Sequence, residues 1–126
     1  MKAYTDIEQS KKLAEILPLE SADMIWVLAN PDLPMIRAIA YEDSEKSKYY
    51  EILPAWSLAA LLNYLREIDF FPEIEADEHG VTMSINYYDE EEARLLAPVH
   101  NIKVKTESFI DACVEMIIKL HEQKLL

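Results

Sequence analysis

The chain has little glycine and cysteine, and these absences limit the sites that it can hold. Its 126 residues include one glycine, Gly80, which excludes a glycine-rich phosphate-binding loop. Cys113 is the only cysteine, so neither an intramolecular disulfide nor a zinc cluster of several cysteines can form. No apolar run approaches the roughly 20 residues of a membrane-spanning helix, and the first 14 residues do not resemble a secretory leader. We therefore expect a cytoplasmic protein with no cofactor.

Basic residues are also scarce, and the acidic excess is concentrated in one segment. The net charge is −12, and residues 67–92 contain ten acidic residues and no Lys or Arg. Nucleic-acid affinity comes largely from Lys and Arg side chains that neutralise phosphates. We therefore expect no direct binding to DNA or RNA, and no binding to a membrane.

Three stretches have the apolar periodicity of amphipathic helices. The first follows Thr5, which together with Glu8 predicts a capping box, and it ends before Pro18. The second follows Ser57, a predicted N-cap, and carries four leucines at positions i, i+3, i+4 and i+7. The third begins near residues 106–107 and runs towards the end of the chain.

Strand patterns occur in two parts of the sequence. Residues 24–29 and 35–40 are short apolar runs that we interpret as strands, although a buried helical turn beginning at Ser21 is an alternative for the first run. Later, apolar and polar side chains alternate on both sides of a turn at residues 77–80, which predicts a hairpin, and a third strand is expected at residues 100–105.

The order of these elements predicts an α+β fold. Helix, two strands, helix, three strands and helix follow one another without a regular alternation of strands and crossover helices. This order favours a mostly antiparallel sheet of about three to five strands with three helices packed on it. We expect residues 1–126 to form a single domain.

The acidic segment is the strongest candidate interaction surface. Glu73, Glu75 and Asp77 are spaced two residues apart, so their side chains leave the same face of one strand. Such a row can meet a basic protein, imitate a phosphate backbone or bind a cation, but the more common explanation is the solvated side of an edge strand that its charge protects from aggregation. The full candidate surface is Glu73, Glu75, Asp77, Glu78, Asp89, Glu90, Glu91 and Glu92.

No motif in the sequence indicates catalysis or metal binding. The three histidines lie far apart, and the acidic residues lack the ligand spacing of an EF-hand. Cys113 is predicted to lie in the core stripe of the last helix, where a buried thiol is inert. Ser57 has no nucleophile elbow around it. We therefore assign no catalytic, cofactor-binding or metal-binding residue.

Three segments carry a family resemblance, at residues 1–26, 52–65 and 111–126. They resemble a group of short uncharacterised proteins that are common in gut Bacteroidetes genomes, often in prophage or mobile-element regions. No activity is known for that group, so the resemblance implies a bacterial, phage-linked origin and transfers no functional residue.

These observations leave several classes of function open. The first is a small, non-catalytic interaction protein that presents its acidic surface to a basic protein, in one version as a DNA mimic. The alternative is a small enzyme or ligand-binding domain with a carboxylate-containing cleft. A third is a structural subunit that associates with itself.

Overall fold

A computed structural model describes residues 2–30, 32–41, 51–87 and 100–126 of the chain. The described residues form three helices and two antiparallel sheets of three strands each, which confirms the predicted α+β class. The predicted elements occur in the predicted order, and one additional strand precedes the second helix. The helices are α1 (Ile7–Ile16), α2 (Leu58–Glu67) and α3 (Phe109–Glu122). The strands are β1 (Met24–Val27), β2 (Met35–Arg37), β3 (Ile52–Ala55), β4 (Glu73–Asp77), β5 (Gly80–Tyr87) and β6 (His100–Thr106).

Helix α1 is capped one residue later than the sequence predicts. The Asp6 carboxylate accepts a 2.8 Å hydrogen bond from the Gln9 N–H, and the Gln9 side chain accepts a 3.1 Å bond from the Asp6 N–H. The predicted capping box of Thr5 and Glu8 is therefore wrong. Thr5 is instead fully buried, with its hydroxyl 2.8 Å from the hydroxyl of Ser10.

The other two helices begin at serine caps. The Ser57 hydroxyl accepts a 3.1 Å hydrogen bond from the Ala60 N–H, as predicted for α2. At the start of α3, the Ser108 hydroxyl accepts a 3.1 Å bond from the Asp111 N–H. Each cap satisfies one backbone donor that the first helical turn leaves without a partner.

The first sheet has the order β2-β1-β3, and it is tied to the beginning of the chain. Its last strand leads into Trp56, which is fully buried and exchanges hydrogen bonds with Thr5 through backbone and side-chain atoms. The Trp56 indole N–H also donates a 2.9 Å bond to the hydroxyl of Ser21. Ser21 ends a 3-10 turn, Leu19–Ser21, that immediately precedes the first strand.

The second sheet has the order β4-β5-β6 and separates an apolar face from a polar one. Met83 is fully buried and lies opposite Ile74 on one side and Val104 on the other. Helix α3 covers this apolar face, with Met116 and Ile117 fully buried. The polar side chains of the same strands consequently form the outer surface of the sheet.

Among the described residues, no helix combines enough length with enough apolar character to cross a bilayer.

Candidate functional site

The predicted acidic residues at positions 73–78 lie at the outer edge of the second sheet. Strand β4 is an outer strand of the β4-β5-β6 sheet, so within the described residues it pairs with another strand on one side only. Glu73, Glu75 and Asp77 are exposed and share the outer face, because side chains two residues apart on a strand point the same way. Glu78 follows in the turn and is also exposed. These four residues are called the acidic edge below.

Two lysines of β6, Lys103 and Lys105, lie on the same face of the sheet as the acids, but on the other outer strand. In one row Glu75 lies opposite Thr82, which lies opposite Lys105. The next row repeats this order with Glu73, Ser84 and Lys103. Neighbouring strands are about 4.8 Å apart, so acid and lysine in one row are separated by roughly 10 Å. Within the part of the chain that the structure describes, Glu73 and Glu75 form no ion pair.

The turn after β4 is held by its own side chains and by the only glycine. The Asp77 carboxylate accepts a 2.7 Å hydrogen bond from the backbone N–H of His79, and Glu78 lies 3.5 Å from the His79 ring. Gly80 has a φ of +136°, and a Cβ atom at this position would collide with the carbonyl oxygen of Thr106. The backbone therefore requires glycine here, which lets the start of β5 approach the end of β6 closely.

The other half of the predicted acidic surface lies outside the residues that the structure describes. It comprises Asp89, Glu90, Glu91 and Glu92.

An aromatic residue that the sequence analysis did not single out lies next to the acidic edge. Phe71 is 67% exposed, whereas its neighbour Phe70 packs against the core. Ala76, on the inner face of β4, is exposed as well. Since an inner-face residue is accessible, β4 projects beyond the part of the sheet that α3 covers. The sequence does indicate that one of these two rings is exposed, since Phe70 and Phe71 are adjacent and neighbouring positions in an extended chain face opposite sides.

A separate groove of about 660 Å³ lies between α2 and the 3-10 turn. Its floor includes Ala22 and Ala60, and its rim carries the carboxylates of Glu20, Asp23 and Glu67. None of the residues of the acidic edge lines it. The carboxylate-containing cleft of the alternative hypothesis therefore has a physical counterpart, but with acids that the sequence did not indicate.

The polar groups of this groove differ in how many hydrogen bonds they already form within the protein. Asp23 accepts hydrogen bonds from the backbone N–H of Ser57, at 2.8 Å, and from its hydroxyl, so it supports the cap of α2. Glu67 accepts a 3.2 Å bond from Asn63 one helical turn earlier. Burial, reinforced by the negative charge of Glu67, raises the pKa of Tyr64. The Tyr64 phenol is accordingly a neutral donor at physiological pH.

The nucleophilic and metal-binding side chains are dispersed. Cys113 is fully buried, and burial raises the pKa of its thiol to about 12, so the reactive thiolate is not formed at neutral pH. His100 stacks on Tyr87 with ring centroids 5.0 Å apart, at the far end of β6 from the turn that contains His79. Across the described ranges, no group of three or more His, Cys, Asp or Glu side chains is arranged to hold a metal ion.

A charged cluster joins the start of the chain to α3. The Lys2 ammonium lies 2.8 Å from the Asp111 carboxylate and 3.0 Å from that of Asp6, and the Gln9 amide donates a 2.7 Å bond to Asp111. Burial alone would raise the pKa of Asp111, but hydrogen bonds from Lys2, Gln9 and Ser108 outweigh burial and lower it. Each member of this cluster has a partner, which indicates a structural role.

Comparison with other proteins adds no relative. No protein-family model matches the chain, and no curated protein or solved structure matches it either.

Proposed function

We propose that this chain is a small, non-catalytic interaction protein that binds a basic protein through its acidic edge. The observation that carries the proposal is the exposure of Glu73, Glu75 and Asp77 in one row, with no base of the described residues in ion-pair contact with Glu73 or Glu75. The resemblance noted above suggests a bacterial, phage-linked and cytoplasmic setting, and that setting is part of the proposal.

The physical basis of the proposed binding is charge complementarity. Carboxylates that are already solvated and unpaired can attract a basic surface without first breaking an ion pair. Such complementarity accelerates encounter and selects partners more than it raises affinity, and it weakens as salt screens the charges. Lys103 and Lys105 sit across the same face, so they restrict the attractive region to the β4 side of the sheet.

The number and surroundings of the acids favour a basic protein in general over the DNA-mimic version of the hypothesis. B-DNA carries one negative charge per roughly 1.7 Å of helix axis, counting both strands. The acidic row has three carboxylates on a single strand, and Lys103 and Lys105 lie on the same face of the sheet and reduce its field.

The test is affinity purification from bacterial lysate with two variants of equal charge. Glu73→Gln, Glu75→Gln and Asp77→Asn neutralise the row. Glu15→Gln, Glu115→Gln and Glu122→Gln remove the same number of exposed acids from α1 and α3. We expect a basic partner that the wild type and the helix variant retain, and that the row variant and about 0.5 M salt release. A partner retained equally by both variants would refute the proposal.

A second candidate function is favoured by the groove beside α2. Its volume of about 660 Å³ lies within the usual range for small-molecule sites, and its rim contains Glu20, Asp23 and Glu67. These features suit a cationic small molecule. Titration with spermidine, followed by the amide NMR signals, separates the two functions. Shifts confined to residues around Tyr64 support a ligand site there, and unchanged groove signals at millimolar spermidine would remove this candidate.

A further inference from the structure

We infer that the basic partner of the acidic edge binds as an added β-strand, with Lys or Arg at alternate positions. This inference rests on the proposed function and specifies its partner. It requires an accessible strand edge, side chains at the matching spacing, and a reason why the edge does not accept a second copy of the same surface.

The accessibility of β4 follows from its position and its exposure. It is an outer strand of the β4-β5-β6 sheet, and no other strand of residues 2–30, 32–41, 51–87 or 100–126 pairs with its outer side. An edge strand offers a row of backbone N–H and C=O groups that its own sheet leaves unpaired. Four of its five residues are exposed, including Ala76 on the inner face. An extended peptide can therefore reach the backbone of β4 as well as its side chains.

The spacing of the acids matches an extended partner. Directly opposite residues on neighbouring strands have Cβ atoms about 4.5–5.5 Å apart. Bases at alternate positions of an added strand would thus face Glu73, Glu75 and Asp77 at ion-pair range. The lysines of β6 are two strands away, at roughly twice the interstrand distance. The added strand would supply the adjacent positive row that this sheet lacks.

Phe71 gives the edge an apolar contact at one end. Its ring is 67% exposed and lies two residues before Glu73. An exposed aromatic ring beside carboxylates can contact the aliphatic stem and the charge of a Lys or Arg side chain. Aromatic residues of this kind are frequent anchors in protein interfaces.

The charges select against symmetric pairing with a second copy. Two β4 strands paired antiparallel would place Glu75 opposite Glu75 and Glu73 opposite Asp77. Two β6 strands would bring Lys103 and Lys105 together in the same way. Like charges directly opposite one another destabilise a sheet. Both symmetric pairings are therefore disfavoured, and a separate basic strand is the occupant that we infer. A head-to-tail contact, in which β6 of a second copy presents Lys103 and Lys105 to β4, is the competing outcome that self-association would reveal.

The test uses the full chain and three synthetic nonapeptides, followed by fluorescence anisotropy at low salt. One peptide has lysines at positions 3, 5 and 7 among threonines, and its isomer has the three lysines contiguous. The third repeats the alternating sequence with an N-methyl group on every internal amide. We expect the alternating peptide to bind about two- to fivefold more tightly than its isomer. Three contiguous lysines place only two side chains on one face of a strand, so the isomer loses one opposite-charge pair, which contributes a few tenths to about 1 kcal/mol. N-methylation should abolish binding, because it removes the strand's backbone donors.

Two matched single variants test whether the peptide binds beside β4. Phe71→Ala should weaken the alternating peptide several-fold, whereas Leu33→Ala, which truncates an equally exposed side chain of the first sheet region, should leave it unchanged. Equal affinity for the two isomers, or full binding of the N-methylated peptide, would overturn strand addition. Self-association that blocks the peptide would also overturn it. In each of these cases, a lysate partner that still depends on the row would leave the proposed function standing.

Discussion

The two sheets have the same number of strands and the same antiparallel pairing, yet they differ in how many charged side chains they carry and where these lie. The strands of the first sheet contain one charged residue, Arg37, and both of their faces carry apolar side chains. The strands of the second sheet bury one apolar face under α3 and display a row of acids and a row of lysines on the other. A sheet that is solvated on one side can carry a charge pattern, and a sheet with apolar groups on both faces cannot.

The contrast extends to how each sheet is held. The first sheet is attached through buried hydrogen bonds around Trp56 and Thr5, which connect β3, α1 and the 3-10 turn. The second is fixed by apolar packing on α3 and by the close approach of Gly80 to Thr106. Substitutions at Trp56 and at Gly80 therefore test two different kinds of attachment.

The largest expected effect comes from removing the anchor of the first sheet. Trp56→Ala deletes a fully buried side chain and its hydrogen bond to Ser21, so the free energy of unfolding should fall by about 4 kcal/mol. Trp56→Phe keeps most of the ring volume and should cost about 1–2 kcal/mol. Urea denaturation monitored by circular dichroism measures both. Equal losses for the two variants would contradict the anchoring role.

A smaller effect is expected at the turn of the second sheet. Gly80→Ala forces a side chain into a positive-φ conformation and against the Thr106 carbonyl, so we expect a loss of about 2 kcal/mol. Ser84→Ala, on the outer face of the same hairpin, serves as the control and should change stability by less than about 0.5 kcal/mol. Thermal unfolding of both proteins provides the comparison. An unaltered midpoint for Gly80→Ala would show that the hairpin does not need this conformation.

The smallest effect concerns the charged cluster that links α1 to α3. The folded-state pKa of Asp111 lies below its usual value of 3.8, so its contribution to stability is present above that pH and is lost as pH falls through and below it. Asp111→Asn should therefore cost about 1 kcal/mol at pH 7 and much less at pH 2. Unfolding free energies measured at both pH values check the sign. A cost that grew on acidification would contradict it.

The second sheet is the part of the fold that could be predicted best. Strict alternation along β5, with Val81, Met83 and Ile85 buried between polar neighbours, sets both the strand and its buried face. Strand β3 is not among the predicted strands, because it has only four residues and contains Pro54, which is uncommon within a strand. The division into two sheets depends on pairing between distant segments, which short apolar runs do not specify.

The candidate site was predictable to a similar extent. Period-two spacing correctly placed Glu73, Glu75 and Asp77 on one exposed face. The exposure of Phe71 could not be assigned, because only packing decides which of two adjacent rings faces the core. The groove beside α2 combines residues from segments far apart in the sequence, so no local pattern marks it.

Amide hydrogen exchange of the free chain, resolved by NMR, tests most directly whether β4 is an open acidic edge. With β5 pairing on both sides and β4 on one, we expect slow exchange along β5 and an alternation of slow and fast amides along β4. Uniformly slow exchange along β4, equal to that of β5, would mean that the edge is already covered, and it would contradict both the open edge and the strand addition inferred from it.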